Sequence, residues 1–220
     1  MNKPANEIRV AIPPPNFRTA QFTIIGKVPY VQNKFSEKAK AEIHAKHEAG
    51  STARKGKKRD PKDFQACYEG AQYRFPDGSN GIPASCFRNA AISACRTVGF
   101  KMTLAKLSFF VEPDGFDKDD GTPLIRFTKG KPHYHESYVR NETGVVDLRA
   151  RPMWDPGWEA VVRIRFDGDQ FTVDDIANLL SRVGFQVGIG EGRPDSKNSA
   201  GMGWGLFSIT GKSATNGKEE

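Results

Sequence analysis

The chain has 220 residues, enough for one hydrophobic core, so one domain with insertions is the organisation its length favours. Lysine and arginine number 33 against 26 acids, a net charge of +7 that suits a polyanionic partner without specifying one. No apolar run approaches 18 residues and none follows a basic start, so a cytoplasmic protein with no signal peptide and no membrane helix is expected.

Residues 1–16 hold little to bury and close on Pro13-Pro14-Pro15, which reads as an extended N-terminal arm. A single domain is expected over 17–211, with a disordered tail at 212–220. Ala20 to Val31 supplies the first strand, with Phe22, Ile24 and Ile25 apolar, Gly26 at a bulge or kink and Pro29 beyond the paired part. An insertion then covers 36–66. Between Lys38 and Lys62 nine Lys or Arg face three acids, and Arg54, Lys55, Lys57, Lys58 and Arg59 are nearly contiguous. Such a segment is a solvated, mobile loop in the free protein; on a nucleic acid its cations displace counterions from phosphates and it becomes ordered.

Phe75-Pro76-Asp77-Gly78 is a turn signal. A helix follows, with Pro83 at its first position and Cys86, Phe87, Ala90, Ala91 and Ala94 on a small-residue face. Arg88 and Arg96 lie on one broad exposed face of it. Leu104 to Val111 reads as a strand. Cys67, Cys86 and Cys95 show neither a CxxC nor a histidine at ligand spacing, so free thiols in a reducing compartment are expected.

A second insertion spans 112–157. It begins with five carboxylates in the ten residues Glu112 to Gly121, which lack the Asp-x-Asp-x-Asp-Gly ladder of a calcium loop and read as a solvated turn. His133 and His135 stand on one side of an extended segment, where Asp117 or Glu136 is a conceivable third metal ligand. Tyr138–Asn141 and Val145–Pro152 form a hairpin around Glu142-Thr143-Gly144. Its arginines Arg140, Arg149 and Arg151 lie near Trp154 and Trp158. Guanidinium and indole together suit phosphates and unstacked bases; equally, the tryptophans are core anchors and the arginine stems cover them.

The stretch from Trp158 to Ile209 reads as strand, helix, glycine-rich loop and strand. Val162, Ile164 and Phe166 alternate with Val161, Arg163 and Arg165. Thr172 is an N-cap followed by Asp174 and Asp175, and Gly184 is the expected C-cap. Six glycines fall between Gly188 and Gly205. They supply positive φ in turns, or they let a phosphodiester chain approach a bare backbone whose N–H groups face anions. Gly190, Gly192, Gly203 and Gly205, with Arg193 beside them, are the candidates for that contact. They follow a helix instead of preceding one, and no Gly-Lys-Ser/Thr occurs, so both mononucleotide fingerprints are rejected.

Two of these blocks together resemble a known family. Gly81-Ile82-Pro83-Ala84-Ser85 before an Arg-bearing, Ala-rich helix is similar to the Ile-Pro-Gly-Ser-Ser element of the RAMP superfamily, the RNA-binding backbone subunits of CRISPR effector complexes. Gly188-Ile189-Gly190-x-x-Arg193 with Gly201-x-Gly203-x-Gly205-x-Phe207 is similar to that superfamily's glycine-rich loop before a final strand. Ala84 stands where the family has glycine. Uncharacterised small tailed-phage proteins resemble the chain in the same block order, which would put it in a host cytoplasm. The resemblance covers residues 20–31, 81–111 and 158–209. It implies an α+β, ferredoxin-like (RRM-like) βαββαβ core, elaborated by the basic insertion and the hairpin insertion, and subunits that line up along single-stranded RNA.

The reading that joins these features is a non-enzymatic protein that binds single-stranded RNA or DNA and oligomerises along it, with no catalytic residue, cofactor or metal. Two other classes stand beside it. One is a metal-dependent nuclease using Asp114, Asp117, Asp119 or Asp120 with His133 or His135. The other is a structural or adaptor protein whose charge serves solubility.

Overall fold

Alternate side chains of the first strand divide between two environments: Ala20, Phe22 and Ile24 are fully buried, while Thr19, Gln21, Thr23 and Ile25 remain part-exposed. This is β1 (Phe17–Gly26), and that alternation is the pleat of a sheet with one face on a core. The structure, a computed structural model, describes residues 12–35, 41, 62–140, 146–196 and 201–215. It is a mixed α and β architecture built on antiparallel sheets.

In the larger sheet β1 lies between β10 (Phe207–Thr215) and β9 (Glu159–Asp167). Phe22 pairs with Val162 and Ala20 with Ile164. The far edge of β9 is shared. Its later residues pair with β4 (Phe109–Glu112) and its first with β6 (Pro123–Lys129). From β6 the sheet extends to β3 (Gly81–Pro83) and β5 (Gly115–Phe116). A separate three-stranded sheet joins β2 (Tyr30–Val31), β8 (Val146–Trp154) and β7 (His133–Arg140).

Helices α2 (Ala84–Ala94) and α4 (Val173–Arg182) supply Phe87, Ala91, Ile176 and Leu180 to the same core as Phe22, Ile24, Ile164 and Phe166. Each such buried side chain contributes roughly 1.5–3 kcal/mol relative to exposure. Thr172 and Asp175 close a capping box on α4, each side chain accepting from the other's backbone N–H at 3.1 and 2.8 Å. Two shorter helices, α1 (Phe64–Gly70) and α3 (Met102–Ser108), also lie among the described residues.

Several elements differ from the sequence reading. Leu104 to Ser108, expected in a strand, belongs to α3, and only Phe109–Glu112 is extended. Met102, Ala105 and Ser108 turn inward at a spacing of three while Leu104 and Leu107 face solvent, a helical period that the adjoining Phe109-Phe110-Val111 run concealed. Pro83 closes β3 and caps α2 instead of opening it. Gly184 is not a cap either. The helix runs on as a π turn over Val183–Val187, and a Cβ at Gly184 would fall 2.2 Å from the Phe207 carbonyl. The last strand, read as ending at Ile209, continues to Thr215.

Trp154 and Trp158 are both fully buried, which decides between the two readings of the tryptophans in favour of core anchors. Trp154 stacks on Phe127 at 4.7 Å, and Trp158 Nε1 donates to the Val28 carbonyl at 3.0 Å. Gly26 is obligatory there, because a Cβ on it would lie 2.0 Å from the Trp158 indole.

Candidate nucleic-acid interface

The polar residues of α2 fall at Ser85, Asn89 and Ser93, four apart and therefore on one face of the helix. They form one side of a groove of about 1100 Å³. The glycine-rich loop forms the opposite side through Gly190, Gly192 and Arg193, and Tyr73, Tyr138 and Trp204 add aromatic faces. Tyr138 is 77 % exposed at the outer part of the β7–β8 hairpin.

The loop is held to β2 by backbone hydrogen bonds. Glu191 N–H donates to the Val31 carbonyl at 2.9 Å, Gly205 N–H to Pro29 at 2.7 Å and Ile189 N–H to Gly205 at 3.1 Å. All six loop glycines have positive φ. Their surroundings separate them. A Cβ at Gly205 would lie 1.8 Å from the Ile189 carbonyl oxygen, one at Gly190 2.5 Å from the Val31 oxygen, and one at Gly192 2.5 Å from the Trp204 ring. At Gly203 nothing among the described residues lies within 4 Å. Close approach of backbone to backbone explains Gly205 and Gly190, the Trp204 ring explains Gly192, and Gly203 is open among the described residues.

Charges in the groove are mostly matched. Arg149 Nη1 and Arg151 Nε reach the two oxygens of Glu191 at 3.1 and 2.8 Å. Arg96 pairs with Asp195 at 2.7 Å, and Ser93 Oγ donates to the same carboxylate. The Ser93 bond first, and Arg96 with it, hold the Asp195 carboxyl below its ordinary value. Arg193 differs: its Nη1 donates to the Gly190 carbonyl at 3.1 Å, and among the described residues no carboxylate lies within ion-pair distance of it. Cys86 lies beneath, its thiol pushed up to about 11 by burial.

Not every expected residue reaches this groove. Arg88 turns away, donating to the Lys106 carbonyl and packing over Phe110 at 5.4 Å. Its Nε is buried without a hydrogen-bond partner among the described residues. It therefore does not share a face with Arg96. Arg140 is in β7, paired with Val146 in register. Arg54, Lys55, Lys57, Lys58 and Arg59, and the turn Glu142-Thr143-Gly144, lie outside the described residues.

The acidic segment is a largely exposed turn, as expected, but it is anchored by one buried carboxylate, Asp117. Asp117 is 4 % exposed and receives Lys34 Nζ at 2.5 Å together with the backbone N–H of Arg74 and Asp119 at 2.9 and 3.0 Å. Lys34 also reaches Asp119 at 2.9 Å. Asp114 accepts from Arg126 N–H and pairs with Arg163 at 2.5 Å. His133 stands 3.6 Å from Asp155, and His135 meets the Trp204 ring edge-on at 5.8 Å. Among the described residues no three His, Cys, Asp or Glu side chains converge as a metal site would require.

Sequence reasoning passed over Lys34, Gln32 and the Ser85/Asn89/Ser93 stripe. The stripe carried a usable signal, three polar residues at helical spacing within an alanine-rich segment. Lys34 carried none, because its partner lies 83 residues away.

No protein-family model and no curated protein matches the chain. Among solved structures it is similar to a chain of the type III-B Cmr-beta complex bound to cognate target RNA, at 11% identity and a TM-score of 0.49. The alignment covers 91% of this chain and 61% of that one, so the chain spans about three fifths of that neighbour's length. Among the described residues no helix is long and apolar enough to cross a membrane.

Proposed function

We propose that the chain binds single-stranded nucleic acid in the groove between α2 and the glycine-rich loop, with further copies adding along the strand. Arg193 carries the reading. It is a guanidinium at the groove wall whose hydrogen-bond partner among the described residues is a neutral carbonyl, so its fork is available to a phosphate oxygen pair. Around it the Ser85 and Asn89 side chains and the Tyr73, Tyr138 and Trp204 rings offer hydrogen bonds and stacking faces to bases. The net charge of +7 favours the same class of partner.

Kinship with the RAMP superfamily belongs to this proposal. It is supported by the block order noted in the sequence, with β3 and α2 carrying the Gly81–Ser85 element. A ferredoxin-like core is supported by the chain order β1, α2, β4, β9, α4, β10 and by the sheet order β10-β1-β9, with β4 on the free side of β9. The nuclease reading is not carried forward, because Asp114, Asp117 and Asp119 are engaged by Arg163, Lys34 and backbone N–H groups. The adaptor reading keeps one observation in its favour: Arg149 and Arg151 are paired within the chain itself, with Glu191 and Asp147.

Fluorescence anisotropy with uridylate and thymidylate oligomers of about 20 nucleotides tests the proposal. Arg193→Ala is expected to weaken binding by about 1–3 kcal/mol, the scale of hydrogen bonds to a charged group, with the melting temperature moved by no more than a few degrees. Unchanged affinity in Arg193→Ala together with unchanged affinity in Gly203→Ala would leave the adaptor reading ahead.

A further inference from the structure

The face of the larger sheet opposite α2 and α4 has its own surface chemistry. Phe17 and Thr19 of β1 and Arg163 and Arg165 of β9 point to it, and the register sets Arg165 directly between Thr19 and Phe110 of β4. From the helix layer Arg88 of α2 reaches the edge of this face, 5.4 Å from the Phe110 centroid, while β1 makes its contacts with the flanking strands β9 and β10. The rings of Phe17 and Phe110 stand edge to face at 6.0 Å. The Arg165 guanidinium bridges them, 5.3 Å from one centroid and 5.5 Å from the other. Arg163 beside it is neutralised by Asp114, whereas Arg165 is exposed and has no carboxylate at ion-pair distance among the described residues. Phe17 is 37 % exposed.

An unmatched guanidinium clamped between two rings is a planar, cationic platform held in one orientation. Its charge selects an anionic partner, and its flat apolar faces select one with flat apolar groups of its own. Single-stranded nucleic acid combines both, as a phosphate chain carrying unstacked bases, and a sheet offers its aromatic faces at a spacing bases can reach. We infer that the Phe17–Arg165–Phe110 platform is a second contact for single-stranded nucleic acid, in which a base stacks on the exposed ring while Arg165 meets the neighbouring phosphate. The inference rests on the nucleic-acid reading of the chain but not on the groove, which lies on the helix side of the molecule.

Photocrosslinking of the full-length protein to a 4-thiouridine oligomer tests the platform without altering the fold, and anisotropy with Phe17→Ala and Arg165→Gln tests it quantitatively. The crosslinked peptides are expected to contain Phe17 or Phe110. Each variant is expected to bind about tenfold more weakly, the loss of one stacked base or one phosphate contact. Arg165→Gln should also make the slope of log K against log[salt] shallower by about one. Binding by the wild-type protein with crosslinks elsewhere, and normal affinity in both variants, overturns the platform and leaves the groove standing. No binding by the wild-type protein overturns the nucleic-acid reading and the platform with it. Normal affinity combined with a lower sedimentation mass in the variants identifies the face as a contact between copies of the chain, which also overturns the platform.

Discussion

Gly203 and Gly205 share a backbone conformation, at φ +74 and +73, yet differ in what occupies the space beside them. At Gly205 a methyl group meets the Ile189 carbonyl at 1.8 Å, so Gly205→Ala should destabilise the fold by more than about 2 kcal/mol through strain and overlap combined. At Gly203 only the strained φ counts, and Gly203→Ala should cost about 1 kcal/mol. Urea denaturation of the two variants checks the difference; equal losses would show that the close approach of the Ile189 backbone is not what distinguishes them. The sequence shows that this stretch needs glycine, since six in eighteen residues are not there for packing. It does not show which of them touch protein, because the contacts form only on folding: Gly190 meets Tyr30 and Val31 of β2, some 160 residues earlier, and Gly205 meets Ile189 across the loop.

At the scale of elements, the corner formed by Lys34, Asp117 and Asp119 joins the segment after β2 to the turn after β5. Removing one member of a buried ion pair leaves the other charge uncompensated. Lys34→Met should therefore destabilise by about 3–5 kcal/mol, and adding Asp117→Asn should recover part of that loss. The pH dependence has two limbs. Burial opposes the Lys34 charge, but the bonds to Asp117 and Asp119 outweigh it and raise its pKa above 10.5. The stability it contributes is complete below that value and lost as pH rises through the raised one. The Asp119 carboxyl is held down by the Lys34 bond, so its contribution is present above about 3.8 and lost as pH falls through the lowered value. Urea midpoints from pH 2 to 12 should fall at both ends, and Lys34→Met should flatten the alkaline limb. An unchanged alkaline limb in that variant would remove the corner from the account. Strands and helices with clean alternation, such as β9 and α4, were legible from their own residues. Met102–Ser108 was not, because short apolar runs satisfy both periods and only the packing of Ala105 and Ser108 decides between them.

For the whole molecule the question is how a net charge of +7 is distributed. The described ion pairs neutralise many of the cations locally, including Arg149, Arg151 and Arg163. The dense block Arg54, Lys55, Lys57, Lys58 and Arg59 is the part of the excess that was plain from sequence alone. If it meets phosphates, replacing all five by Gln should make log K against log[salt] less steep by up to roughly 3–4.5 units, with folding stability within about 0.5 kcal/mol. A salt titration of both proteins checks this, and an unchanged slope would take the block out of the binding surface. The residues on either side of that block are each fastened to the described scaffold. Lys34 is locked into the Asp117 corner, and Lys62 pairs with Asp147 on β8 at 3.0 Å. With both sides fixed, doubling the intervening length adds only about 0.6 kcal/mol of closure entropy. A change in the length or charge of that stretch is thus expected to leave the urea midpoint of the described scaffold nearly unmoved.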